Sequence, residues 1–410
     1  VYKRQAQVRV DIASSTDTFF LKFFGIDTVN LNRHAIAEQL PPLKLGSDGQ
    51  RLGTYYDNNG NLIDNEFFWV AINGEERSMA DGDPFSTRCA GTSSGCSGTS
   101  NSLFRDPAYY YAVDVPSAEV GQAVSVWVYD PENDNSGDDF TDDLGSSGLS
   151  SETFRFRLYP PDATPGDPTD NSSNGSIITG CNDSYPSSLV PDPKDQWHLV
   201  CQFTAASQGI HVLEVSVRGD DDAINGFSLA VSGTTWTTST NTAVYGLGYM
   251  SLLMRDPGTS PTLQIVKLDE IYAGTELIVN AFDLGDITGN ASGYLTFGGA
   301  LAGVDCEIRT LNAQYSTGSA SAWGPDDSGS GSTCRVTTKS GSTGGNEGIY
   351  NNQWLEFKFE VPADFTCSDP NCWGTVTYTF AGGSPTDRTT WGARINGTPI
   401  HLLNETTPSS

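Results

Sequence analysis

Two stretches far apart in the chain say the same thing. DQWHLVCQF at 195–203 and NQWLEFKFE at 352–360 share a polar turn, a tryptophan and an alternating run. Three further pairs keep the order: LFRDP at 103–107 with LMRDP at 253–257, VYDP at 128–131 with AFDL at 281–284, and NGFSLAV from 225 with WGARING from 391. Offsets this constant mark an internal repeat whose register drifts only by loop insertions. The unit itself is clearest at Val124–Asp139, VSVWVYDPENDNSGDD. Val124, Val126 and Val128 alternate with Ser125, Trp127 and Tyr129, the period of a strand with one buried face. Asp130-Pro131 then stops it, because proline cannot donate to a ladder. Leu277–Asp286, LIVNAFDLGD, repeats the strand and the acidic turn.

The rest of the chain agrees with an all-β reading. It has 410 residues, 44 Gly and 21 Pro, and its alternating runs are short and bounded by turn formers. Examples are YYYAVDVP (109–116), FRFRLY (154–159) and GIHVLEVSV (209–217). Tyr55–Asn65 reads as a hairpin turning at Asn59-Gly60. Asp57, Asn59 and Asn61 imitate the start of a calcium loop, but Leu62 stands where an EF-hand needs glycine. Gly91–Gly95, GTSSG, matches G-x-S-x-G without the strand before it and helix after it that a nucleophile elbow requires. The expected architecture is mainly β: two tandem jelly-roll-like β-sandwiches preceded by a short α/β stub. The expected boundaries are 1–45 for the stub, 46–236 for the first sandwich, 237–243 for a Ser/Thr linker and 244–410 for the second sandwich.

A net charge of −28 argues against nucleic acid or anionic lipid as the main partner. The eight cysteines fall into close pairs, Cys89/Cys96, Cys181/Cys201, Cys306/Cys334 and Cys367/Cys372, with no CxxC and no neighbouring histidine. That spacing predicts four local disulfides in an oxidising compartment rather than zinc.

The first forty residues have their own pattern. Val8, Val10 and Ile12 alternate in a strand, and Thr16 or Asp17 can cap a short helix over Thr18–Phe24. Phe19, Phe20, Phe23 and Phe24 are spaced to fill one side of that helix, and Gly25 ends it. Alternation resumes at Asp27–Ala37 before Pro41-Pro42. A V-x-V strand, then TFFLKFFGID, then VNLNRHAIA before Pro-Pro resembles the conserved N-terminal region of TadE/TadG-like proteins of the Flp (Tad) pilus-assembly system. The resemblance covers residues 6–42. It implies a pilin-like stub, a membrane helix upstream of residue 1, an extracytoplasmic or cell-surface location in a bacterium, and pilus or envelope proteins as partners. The opening VYKRQ reads as a sequencing-adaptor remnant, so residues 1–5 are expected to be non-native and the true N-terminus to lie upstream.

Chemistry-bearing residues are few. Asp130, Asp134, Asp138 and Asp139 offer carboxylates for Ca²⁺, against which stands a solvated acidic loop in a strongly acidic protein. Asp220, Asp221 and Asp222 make a weaker version of the same case. Trp197 and Trp354, at equivalent places in the repeat, could stack on a sugar or fill a sheet face. Arg105 and Arg255, each before Asp-Pro, are expected to hold loops. No phosphate loop, HExxH or nucleophile–base pair is present. The function expected is therefore a non-catalytic scaffold at the cell envelope that requires no cofactor. The alternative is a secreted or surface carbohydrate-binding or adhesive protein, with Ca²⁺ as its one possible ion.

Overall fold

The computed structural model describes residues 7–57, 61–63, 68–91, 100–129, 142–143, 153–186, 196–219, 224–254, 260–287, 292–312, 321–325, 333–340, 348–369, 371–381, 388–396 and 400–403. The chain divides into two units, residues 1–41 with 395–410, and Pro42–Arg394. Among the described residues no helix is long and apolar enough to cross a membrane.

The first unit is a three-stranded antiparallel sheet. Gln7–Asp17 pairs with Thr28–Gln39 from Gln7↔Glu38 to Asp17↔Thr28, and Ile400–Leu403 adds to the far edge of Thr28–Gln39. The α-helix expected over Thr18–Phe24 is not formed. Pairing runs to Asp17↔Thr28, so only residues 18–27 are left for the return, and they hold one 3₁₀ turn, Leu21–Phe24. The four phenylalanines are exposed instead of filling one side.

The second unit is a β-sandwich of two long antiparallel sheets. The alternation seen in sequence becomes the burial pattern: Thr153–Pro161 alternates intermediate and buried residues through Leu158. Aromatic rings join the layers. Phe227 of Ile224–Ser232 meets Tyr111, Phe154 and Phe156 of the opposite sheet at 6.2, 5.7 and 6.2 Å between centroids. In the second half Phe297 meets Phe357 and Phe359 at 4.7 and 5.0 Å. Such pairs add directional preference to apolar burial.

Strand order shows how the halves relate. One sheet runs Trp197–Thr204, Ala123–Tyr129, Ile224–Ser232, Phe68–Asn73, then Tyr249–Met254, Arg388–Ile395, Glu276–Phe282, Gln353–Glu360 and Cys306–Asn312. From the seam between Phe68–Asn73 and Tyr249–Met254 outward, both directions give the same strands of the repeat. The seam pairs Val70↔Leu252, Trp69↔Leu253 and Phe68↔Met254. Phe68–Asn73 is buried along its whole length. An open edge that apolar would template aggregation, and pairing it with its counterpart removes both edges at once.

The other sheet runs Asn182–Pro186, Thr153–Pro161, Gly209–Arg218, Tyr109–Val115, Ala243–Leu247, Lys44–Leu45, Thr262–Lys267, Trp373–Ala381, Ser292–Gly299 and Arg335–Lys339. Here the leading strands are exchanged. Ala243–Leu247, which opens the second half, pairs with Tyr109–Val115 of the first. Lys44–Leu45, which opens the first half, pairs with Thr262–Lys267 of the second. Leu45 and Gly246 join the two at the centre. Residues 237–243, expected as a linker, lead directly into this exchange, and Thr240 and Thr242 are buried.

Three of the expected disulfides form: Cys181–Cys201, Cys306–Cys334 and Cys367–Cys372, with Cα separations of 4.9, 5.4 and 5.2 Å, inside the usual range. The first ties Trp197–Thr204 to the residue before Asn182–Pro186, and so binds the two sheets at one end of the sandwich. The second does the same at the opposite end, from Cys306–Asn312 to the residue before Arg335–Lys339. These bridges place the chain in an oxidising, extracytoplasmic environment. Cys89 is buried, and Cys96, its expected partner, lies outside the described residues.

Candidate functional site

Trp197 stands at the start of an outer strand, paired opposite Tyr129, while Trp127 pairs opposite Leu199. Trp236 reaches them from the loop after Ile224–Ser232. Trp197 lies 4.7 Å from Trp236, and Trp127 lies 5.4 Å from Trp236. All three rings are partly exposed. Behind them Trp197 packs edge-on against Tyr55 and Tyr129 at 5.2 and 5.3 Å, and Trp69 stacks on Tyr129.

The platform is held by polar contacts. Trp127 Nε1 donates to Ser232 Oγ at 2.9 Å, and Ser125 Oγ donates to Gly233 O at 2.7 Å. Gln202 Nε2 donates to Ser125 Oγ and to Thr234 O at 2.9 and 2.7 Å, fixing the loop that carries Trp236. Gly233 N donates to Thr238 O at 2.8 Å and closes the same loop. The Arg51 guanidinium lies over the rings of Tyr55 and Trp236 at 4.8 and 5.2 Å, a cation–π arrangement. Three indoles with one cation form an aromatic surface suited to stacking on a flat ligand face.

Trp354 occupies the equivalent strand position but a different environment. It is 6% exposed, covered by Phe85, Tyr249 and Phe282 at 5.8, 5.6 and 5.1 Å. Phe85 comes from an insertion, residues 74–102, that the second half lacks. Asp83 anchors it: this buried carboxylate accepts from the backbone N–H groups of Asn73, Phe85 and Ser86, from Ser86 Oγ and from Tyr109 Oη at 2.5 Å. Burial and the neighbouring Asp83 hold the Tyr109 phenol far above its ordinary value. Thr390 Oγ1 donates to Gly82 O at 2.7 Å. Gly82 has φ +90°, and a Cβ there would sit 2.0 Å from Arg388 O, so the contact admits only glycine.

A cleft of about 230 Å³ opens beside this cluster, lined by Arg105, Tyr110, Thr169, Tyr249, Asn280 and Arg394 among others. The Arg105 guanidinium lies 3.5 Å from the Phe85 centroid, and burial lowers its pKa. Asn280 Nδ2 donates to Tyr249 Oη at 3.2 Å, while Asn280 Oδ1 and Arg105 Nε are buried without a hydrogen-bond partner. Glu356 accepts from Arg309 Nε and Arg394 Nη2 at 2.5 and 3.1 Å. Among the described residues lining the cleft there is no carboxylate, histidine, serine or cysteine.

The remaining sequence candidates fall apart from these sites. Asp130, Asp134, Asp138, Asp139, Asp220, Asp221, Asp222 and Arg255 lie outside the described residues, as does most of the Gly91–Gly95 loop. Among the described residues no group of three or more His, Cys, Asp or Glu could hold a metal ion. The second copy of the acidic turn is described. Asp283 is buried and accepts from Asn352 N at 2.5 Å, and Asp286 accepts from Gly348 N at 2.7 Å. Both carboxylates tie down the loop before Gln353–Glu360. The sequence marks neither Trp127, which alternates as an ordinary outward strand residue, nor Trp236, which stands at the last position of the expected first sandwich.

No family model matches the chain, and no curated protein matches it. Solved structures resemble it only weakly. The N-terminal CBM22-1-CBM22-2 tandem domain of Paenibacillus barcinonensis Xyn10C aligns at 9% identity and a TM-score of 0.15, covering 97% of this chain and 94% of that one. A structure of infectious bursal disease virus, Gx strain, aligns at 13% identity and a TM-score of 0.11, covering 87% of this chain and 80% of that one. At scores this low neither neighbour bears on fold or function.

Proposed function

We propose that this chain is an extracytoplasmic binding protein that acts without catalysis, and that its Trp127–Trp197–Trp236 platform binds glycan. The observation that carries the reading is the convergence of three partly exposed indoles, from two strands and one loop, on a scaffold pinned by Gln202 and a cross-sheet disulfide. Aromatic faces stack on the apolar faces of sugar rings, and Arg51 supplies a charged contact beside them. The strand orders support reading each half as a jelly roll, the two fused edge to edge. The test is glycan-array binding followed by titration. Trp236→Ala and Trp127→Ala are expected to weaken binding at least tenfold while leaving the fold intact, because neither ring is in the core. Absence of binding to any glycan, or unchanged affinity in both variants, refutes the assignment.

A second reading rests on residues 6–42, whose likeness to TadE/TadG-like proteins favours an envelope scaffold tethered through an upstream membrane helix. A longer transcript that encodes a cleavable signal peptide in place of such a helix would count against it.

A further inference from the structure

The return between Gln7–Asp17 and Thr28–Gln39 presents its apolar residues to solvent. Phe19, Phe20, Phe23 and Phe24 are 80–95% exposed, and Leu21 and Ile26 are 41% and 45% exposed. At roughly 150 Å² or more per ring, this is a patch on the order of 600 Å², at the upper end of what a soluble monomer carries, where such patches are often functional. We propose that this turn inserts into the interfacial region of a zwitterionic lipid bilayer.

Three observations select lipid as the occupant. First, the turn protrudes: all four rings are exposed almost fully, and Phe19 and Phe20 touch only edge to face, at 86° to each other. A protein groove covers one side of a turn, whereas an acyl and headgroup medium surrounds it. Second, four backbone donors of the turn are met within it. Thr18 N donates to Asp27 O at 3.0 Å, Phe23 N to Phe20 O at 3.3 Å, Gly25 N to Lys22 O at 3.0 Å and Ile26 N to Leu21 O at 3.1 Å. Gly25 closes it at φ +79°. Each internal bond lowers the cost of moving irregular backbone out of water and into the bilayer interface. Third, the charges set a depth. Lys22 is the one ionised side chain between Thr18 and Ile26, and its long stem can carry the ammonium back to the headgroups. Asp17 and Asp27 flank the base of the turn and limit immersion to the tip. With −28 overall, attraction to anionic headgroups contributes nothing, so attachment is apolar and insensitive to salt.

The experiment is flotation of the intact chain with phosphatidylcholine vesicles at low and high salt. The parent protein is expected to float equally at both. The quadruple variant Phe19→Ser, Phe20→Ser, Phe23→Ser, Phe24→Ser is expected to lose at least tenfold in partitioning, with the thermal unfolding of residues 42–394 unchanged. Phe23→Asp alone is expected to lose most of the effect, because it places a charge at the most exposed ring. The proposal is overturned if the parent protein stays with the soluble fraction, or if the quadruple variant floats as well as the parent. It is also overturned if the phenylalanines drive a lipid-independent dimer in place of flotation, which would assign the turn to a second copy of the chain.

Discussion

Phe297→Ala asks whether the two halves of the sandwich are one folding unit. Phe297 is 2% exposed and reaches across the layers to Phe357, Phe359 and Trp391. Truncating such a ring costs about 3–5 kcal/mol. If the continuous sheets make Pro42–Arg394 a single cooperative unit of about 350 residues, its unfolding entropy is about 0.7 kcal/mol/K and the loss lowers Tm by about 5 °C. If the second half unfolds alone, its roughly 150 residues give about 0.3 kcal/mol/K and a fall of about 13 °C confined to that half. Scanning calorimetry measures the shift. Hydrogen exchange at Tyr109–Val115 and Thr262–Lys267 reports the two halves separately. A single endotherm, with both strands losing protection together, is the expected result. Two endotherms, or a large shift that leaves Tyr109–Val115 untouched, refute the cooperative sandwich.

Replacing Cys181 and Cys201 together by serine is expected to cost about 3 kcal/mol, and Cys306 with Cys334 slightly more, because their loops span 20 and 28 residues. Urea unfolding checks both, and a change below about 0.5 kcal/mol contradicts a role in holding the sheets together. Glu214 is buried, which raises its pKa above the ordinary 4.5, against the hydrogen bond that Asn171 Nδ2 donates to it at 3.0 Å. The folded chain therefore keeps a proton that the unfolded chain has released, and stability falls as pH rises from 4.5 through the raised value. Glu214→Gln retains the Asn171 bond and removes the ionisation. Its Tm advantage over the parent should grow from pH 4 to pH 7, and a difference that ignores pH would contradict the assignment.

Local pattern made much of this legible. The valines of Ala123–Tyr129 and the alternation of Gly209–Arg218 needed only the period of two, and close cysteine spacing sufficed for the three described bridges. Long-range pairing was not legible. Nothing in AVYGL at 243–247 says that it adds to a strand 130 residues earlier instead of to its own half. The Thr18–Phe24 helix failed because the ladder closes at Asp17↔Thr28, so residues 18–27 must reverse the chain across one strand spacing. Asp83 was invisible among 50 acidic residues, since its meaning comes from five donors that gather only in the fold. Trp197 was legible as a candidate, but its companions were not, because Trp236 arrives from a loop and no periodicity governs loops.

The pairing of Ile400–Leu403 with Ile36–Gln39 has a consequence for the order of assembly. It joins segments separated by nearly the whole chain, and closing a flexible loop of about 360 residues costs roughly 5 kcal/mol. Four residues of edge ladder do not recover that on their own. The last strand can therefore dock only after the intervening sandwich has condensed and shortened the search. Protection of the amides in Ile400–Leu403 would then be the final event of folding, and any chain that shows it has already completed everything between.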